Sequence, residues 1–242
     1  MLGTILNIVA VLVGSAIGLI AGNRLPERTR QIVMNGLGLV VAVVGMQAAL
    51  QTRNVLILMF SILLGGILGE WWGIEDRLEA LGHWLERRFG GTANATEGNR
   101  SITRAFVTAS LVFCVGPLTI IGSIQDGLTG DYTLLAIKSM LDGFAAIAFA
   151  ATLGPGVFLA TLTILLYQGG LSLATMGFSS SLGGVTRDAP AIIEMTAAGG
   201  VLMLGISLLL LDLKRVRVAN FLPALALAPL MTGILLALGV QL

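Results

Sequence analysis

Lys138 and Asp142 stand four residues apart in a stretch that is otherwise apolar, with Leu134-Leu135-Ala136-Ile137 before them and Phe144-Ala145-Ala146-Ile147 behind. On a helix that spacing puts both on one face, so the ammonium and the carboxylate can pair and enter a bilayer together. A charge at membrane depth costs at least about 2.5 kcal/mol on insertion scales, which makes each of them a functional candidate. The chemistry on offer is the holding or relaying of an ion or a proton. Asp142, four residues deeper and followed by Gly143, is the better ligand of the two. The competing reading is a pair that only stabilises itself, with Lys138 reaching back to the interface.

Other polar residues interrupt apolar runs nearby. Ser123, Gln125 and Asp126 close the preceding run, and the loop Gly127 to Tyr132 is short enough to return Asp126 toward Asp142. Gln168, beside Gly169 and Gly170, suits a hydrogen bond either to a solute or to a neighbouring helix. Glu194 follows Pro190 and either complements the N-terminal dipole of its own helix or touches a substrate. Asn7, Asn35 and Gln47 are assigned by default to helix-to-helix hydrogen bonds.

Enzymatic and metal chemistry find no such support. His83 is the one histidine and Cys114 the one cysteine, the latter in the apolar run Leu111 to Val115. No zinc or haem ligand set, no intramolecular disulfide and no nucleophile–base pair can be assembled, and no HExxH, GxxxxGK or GxGxxG occurs. The chain is expected to be neither an enzyme nor dependent on a metal or cofactor.

The elements that position these residues follow from composition. Of 242 residues 56% are hydrophobic and 11% charged, which excludes a water-soluble fold. Fourteen Lys and Arg against thirteen Asp and Glu leave no positive surplus to drive nucleic-acid binding. A hydrocarbon core of about 30 Å needs roughly twenty helical residues. That window gives eight spans, about 3–22, 31–50, 54–72, 104–123, 134–152, 155–176, 191–211 and 219–240. No ten-residue alternation suggests a barrel strand, so the expected fold is an all-α polytopic helix bundle. The first apolar run has no basic n-region and no Ala-x-Ala site, and reads as a retained span.

Breaks and close contacts are also visible. Gly116-Pro117 interrupts the fourth span, and Gly154-Pro155-Gly156 leaves barely a turn between the fifth and sixth. A helix broken beside buried charge is a common setting for an ion site. Pro223 and Pro229 are read as kinks. Gly14, Gly18 and Gly22, then Gly65, Gly69 and Gly73, repeat a four-residue spacing that predicts close helix packing, within one protomer or across an oligomer interface. From Gly73 to Phe89, Ile74, Leu78, Leu81, Leu85 and Phe89 recur at helical spacing against Glu75, Glu79, Glu86, Arg87 and Arg88. This is an amphipathic helix, lying on the interface with Trp71, Trp72 and Trp84 as anchors or packed on the bundle. Residues 90–99 form a linker, and the sequon at Asn94 is read as chance.

Basic residues set the orientation. The first, third and seventh loops hold Arg24, Arg28, Arg30, Arg77, Arg87, Arg88, Arg100, Arg104, Lys214, Arg215 and Arg217, whereas the other side has only Arg53, Lys138 and Arg187. Both termini are therefore expected outside. A loose internal similarity relates the first three spans to the last three: Gly14 to Gly169, Ile32-Met34-Asn35-Gly38 to Ile193-Met195-Thr196-Gly199, and Asn54 to Asn220. It predicts an inverted repeat of the kind that builds secondary transporters, against chance similarity between glycine-rich helices. The chain then divides into a first repeat at 1–72, the amphipathic helix and linker at 73–103, two central spans at 104–152, and a second repeat at 153–242.

The run from Val115 to Leu128, with Gly116-Pro117, Gly122-Ser123 and Gln125-Asp126-Gly127, resembles the YdfK/YqgA group of bacterial inner-membrane proteins. Lys138-Ser139-Met140-Leu141-Asp142-Gly143-Phe144, Tyr167-Gln168-Gly169, Glu194-Met195-Thr196 and Ala219-Asn220-Phe221-Leu222-Pro223 carry the same likeness. The resemblance implies a location in the bacterial inner membrane and supplies no activity, the group being a domain of unknown function. The leading expectation is a secondary transporter of a small solute or ion, with Asp142, Lys138, Asp126 and Gln125 around a site beside the broken fourth span. Its rivals are an oligomeric ion channel and a non-transporting scaffold or regulator. The expected partners are the bilayer, a small solute or ion, and further copies of the chain.

Overall fold

The computed structural model describes residues 1–22, 26–89, 102–115, 117–177 and 189–239. Arg24, the linker with its Asn94 sequon, Arg100, Gly116 and Arg187 lie outside them. The described residues form helices and no strand: α1 (Leu2–Gly22), α2 (Glu27–Ala49), α3 (Val55–Trp72), α4 (Ile74–Phe89), α5 (Ile102–Val115), α6 (Pro117–Leu128) and α7 (Thr133–Leu153). Then come α8 (Gly156–Ile164), a π-helical turn (Leu165–Gly169), α9 (Gly170–Gly177), α10 (Pro190–Leu210), a 3₁₀ turn (Val218–Phe221) and α11 (Ala224–Ala237). Seven of these stretches are long and apolar enough to cross a membrane; the α5–α6 pair, bent by 61° at its break, makes up to eight. The protein is thus an all-helical polytopic bundle, and what the sequence reads as a fourth span is two short helices meeting at an angle.

The chain forms two compact units, one from Met1–Leu37, Leu78–Cys114 and Leu118–Gly183, the other from Gly38–Arg77, Val115–Pro117 and Gly184–Leu242.

In the first unit, α1 lies along α7. Gly3 meets Leu135, Gly14 meets Gly143 and Ala146, Gly18 meets Ile147 and Ala150, and Gly22 meets Ala151. Positions rise together on both helices, so the two run parallel. A Cβ at Gly14, Gly18 or Gly22 would overlap the carbonyl oxygen of Gly143, Ile147 or Ala151. The glycine stripe therefore serves contact within the protomer, where backbones approach to a distance that a side chain forbids. α8 approaches α5 in the same manner, Gly156 against Ile102 and Ala105. Phe113 and Phe149 pack edge to face, centroids 6.0 Å apart. Between α7 and α8 the chain turns at Gly154, whose φ of +96° suits glycine.

The second unit uses antiparallel contacts. Gly65 packs on Ala224 and Gly69 on Asn220, which sets α3 against α11; Gly38 packs on Leu211 and Gly45 on Gly200 and Met203, which sets the end of α2 against α10. Asn54 caps α3, its Oδ1 accepting from the Leu56 N–H. At the other end Gly73 adopts the left-handed conformation, φ +61°, that closes a helix at glycine. Gly73 thus terminates α3 rather than extending the Gly65–Gly69 packing stripe. The chain then enters α4, with Glu75 and Asp76 in its first turn and Arg87 and Arg88 in its last, charges that suit its dipole.

A polar network on α1, α7 and the π turn

Helix α7 begins beyond Asp131, whose Oδ1 accepts from both the backbone N–H and the hydroxyl of Thr133. Those bonds from Thr133, the hydroxyl's first, hold the exposed Asp131 carboxyl below its ordinary range. From Thr133, a rise of 1.5 Å per residue carries the chain about 8 Å to Lys138 and about 14 Å to Asp142, close to the middle of a 21-residue helix. Lys138 Nζ pairs with Asp142 Oδ2, as the four-residue spacing requires.

The parallel packing of α1 brings Asn7 to the same carboxylate. Asn7 Nδ2 donates to Asp142 Oδ2 at 3.0 Å and to Gln168 Oε1 at 3.0 Å. Gln168 Nε2 in turn donates to Thr4 Oγ1 at 3.3 Å. Asn7 and Gln168 are fully buried, and Lys138 and Asp142 are 4% and 9% exposed. The donor pattern fixes the amides in sequence: an ionised Asp142 admits only the NH₂ of Asn7, and that NH₂ admits only the oxygen of Gln168. The cost of this order falls on one atom. Asn7 Oδ1 is buried with no hydrogen-bond partner, a condition that costs about 1–3 kcal/mol when left uncompensated.

Gln168 owes its place to the π turn. Five residues, Leu165–Gly169, depart from the α-helical repeat, and such bulges recur at functional sites. Gly169 lies next to Thr4 and Met1, where a Cβ would still fit at 3.7 Å. The glycine beside Gln168 therefore permits a close but not forbidden approach of α1.

The other candidate residues lie elsewhere. Ser123 Oγ donates to Thr119 O at 2.5 Å, and the Gln125 carbonyl accepts from the Thr129 hydroxyl at 2.9 Å. Both bonds stay within the α6 region. Asp126 Oδ2 sits 2.6 Å from the Met1 amino group. None of these three bonds reaches Asp142.

Glu194, 2% exposed, belongs to the second unit. Its carboxylate accepts from Thr52 Oγ1 at 2.6 Å, Arg53 N at 2.7 Å and Asn54 N at 3.1 Å. It holds the turn that opens α3. Glu75 does the same for a second turn: its Oε2 accepts from Ala219 N at 2.8 Å while its own N–H donates to Asn220 Oδ1 at 2.7 Å. Asn220 Nδ2 donates to Glu70 at 2.6 Å, and exposed Arg217 pairs with Glu70 at 3.1 Å.

Three members of the central network, Lys138, Asp142 and Gln168, are candidate site residues in the sequence. Asn7 makes the helix-to-helix bonds expected of it, but its partners and the part of Thr4 are not legible: a lone amide and a lone hydroxyl in an apolar helix look alike wherever they point. Cys114 is a buried free thiol, and no cluster of His, Cys, Asp or Glu suited to a metal ion occurs among the described residues.

Residues 2–233 match the family described as "Protein of unknown function (DUF554)". The chain is 31% identical over 245 residues to the "Uncharacterized membrane protein YdfK" of Bacillus subtilis (strain 168), covering 100% of both chains. It is 29% identical over 227 residues to the "Uncharacterized protein YqgA" of Escherichia coli (strain K12), covering 94% of each. No solved structure matches.

Proposed function

We propose that this chain, which belongs to the DUF554 family, is a secondary transporter of a small solute or ion that binds at the Asp142–Lys138–Asn7–Gln168 network. The observation that carries the reading is a buried carboxylate near the middle of a span, bonded by Lys138 of its own helix and Asn7 of α1 in a network that extends to the π turn, beside an acceptor that the protein itself leaves unpaired. A pair that only stabilised itself would need Lys138 and Asp142 alone; here two amides and a π turn are added to it, at the polar cost of a buried oxygen without a partner. Ionisable groups so placed mark solute and ion pathways in membrane proteins.

Two further features favour a transporter over a channel. The bend between α5 and α6 is a discontinuous helix, the form that transporters use next to their sites. The antiparallel contacts of α3 with α11 and of α2 with α10 pair the helices that an inverted repeat of the first and last three spans would relate. The basic residues favour the bacterial inner membrane with both termini outside. Glycine stripes consumed inside the protomer give no help to the oligomer reading.

The test is flux across proteoliposomes holding the purified protein under imposed proton, sodium, potassium and chloride gradients. The reading expects saturable, gradient-coupled flux that falls at least about tenfold in Asp142→Asn, equivalent to about 1.4 kcal/mol. Flux that is unchanged in Asp142→Asn sinks the site; large unitary currents turn the assignment to a channel.

A further inference from the structure

Resting on that reading of the site, we propose that its ligand is a small monovalent cation and that Lys138 is its resident competitor, an ammonium that fills the cation position until a mobile ion displaces it.

The argument is an inventory of donors and acceptors. Each donor nitrogen in the network has a partner: Lys138 Nζ has Asp142, Asn7 Nδ2 has Asp142 and Gln168, and Gln168 Nε2 has Thr4. The one buried side-chain atom of these residues without a partner is an acceptor. Asn7 Oδ1 is fully buried with no partner, on the same side chain whose amide nitrogen touches Asp142. A neutral amide oxygen beside a carboxylate is a donor set for a hard monovalent ion or a protonated amine, and it repels an anion. An anionic ligand would face the Asp142 carboxylate and the bare Asn7 oxygen, both of which repel it.

Lys138 makes the empty site tolerable. A carboxylate this deep with no counter-ion is strongly unfavourable, so the tethered ammonium keeps the unloaded protein neutral there. Because one charge satisfies Asp142, a second cation and Lys138 exclude each other. The exchange keeps one positive charge against Asp142 while the bound cation adds one to the charge of the protein as a whole, a difference that a transport cycle can read through the membrane potential.

The test reads binding apart from flux. Purified protein in detergent at alkaline pH, where protons compete least, is unfolded thermally in NaCl, KCl or NH₄Cl against N-methyl-D-glucamine chloride at equal ionic strength. Removing the competitor in Lys138→Met should lower the midpoint concentration of cation stabilisation at least about tenfold below wild type, and Asp142→Asn should abolish it. A response to sodium or potassium assigns an alkali ion; a response to ammonium alone assigns a hydrogen-bonding cation. If Lys138→Met does not survive extraction, wild type at molar salt against Asp142→Asn decides, the wild type alone gaining stability beyond the glucamine control. Equal shifts in wild type and Asp142→Asn, or a folded Lys138→Met blind to all three salts, overturn the proposal. Asp142-dependent flux of another solute would then leave the site reading standing without the cation; cation binding without flux would do the reverse.

Discussion

Glu194 and Asn7 exchange the roles that their chemistry suggests. Glu194 is a buried acid next to a proline, yet three donors from residues 52–54 occupy its carboxylate, so it is a fastener for the turn before α3. Glu194→Ala leaves the Arg53 and Asn54 N–H groups without that acceptor and should cost about 2–4 kcal/mol, allowing for hydrogen bonds to charge at about 1.5–3 kcal/mol each and not additive. Denaturation in detergent would show it as a lowered midpoint, with flux per folded molecule retained; flux lost at full stability would put Glu194 back in the site. Asn7→Ala should do the opposite. It removes one donor from Asp142 and the partner of Gln168, so flux should fall about tenfold while stability changes by only about 1–3 kcal/mol. Wild-type flux in a folded Asn7→Ala protein argues against the network. Lys138 and Asp142 were legible because their spacing is local and their charges are rare at that depth. The turn that Glu194 fastens is not legible because backbone N–H groups carry no sequence signal; the helix-to-helix bonds expected of Asn7 are present, but its partners stand 135 and 161 residues away and are not legible either.

At the level of helices, glycines do what side chains do elsewhere. A methyl group at Gly14 or Gly18 would meet backbone oxygen of α7, which cannot rotate aside, so Gly14→Ala and Gly18→Ala should each destabilise by about 1–3 kcal/mol. Gly36, on α2, has open space around it, and Gly36→Ala should be neutral or stabilising by up to about 1 kcal/mol. Melting all three side by side is the check; equal effects would mean that α1 and α7 are not in such contact. The spacing of these glycines was readable in advance, but the partner was not, since an interface within the protomer and one between copies ask for the same residues. We predict that the broken α5–α6 pair crosses the membrane completely. α1 and α7 run parallel, and between them in the chain lie α2, α3 and this pair; with α2 and α3 as spans, the parallel directions call for a third crossing. Arg217 beside Glu70, and Glu194 beside residues 52–54, each require an even number of crossings between them, which a re-entrant pair would make odd. In a Cys114→Ala background, a cysteine at Gln51 or Thr129 should react with an impermeant thiol reagent from one side, and one at Arg88 or Lys214 from the other. Thr129→Cys reacting together with Lys214→Cys would mean that α5 and α6 turn back within the membrane.

For the molecule as a whole, the upper count of eight crossings would place both termini on one side, and charge is expected to decide which. The sequence sets eleven basic residues in the first, third and seventh loops against three opposite them. Of those three, Lys138 is buried against Asp142 inside the first unit and faces no loop. Setting Lys138 aside, the count along the sequence is eleven against two, Arg53 and Arg187. Acidic residues contribute little to this bias, so the nearly balanced total of fourteen basic and thirteen acidic side chains conceals it. The amphipathic α4, with Arg87 and Arg88 in its last turn and Trp84 exposed, is then expected on the cytoplasmic side, where anionic lipid favours basic surfaces. Alkaline phosphatase, active only outside the cytoplasm, should be active when fused after Leu242 and silent when fused after Phe89, and a fluorescent protein at the same two positions should give the complementary pattern. A fusion at Leu242 that is silent, with one at Phe89 active, reverses the orientation, and with it the side from which a cation reaches Asp142.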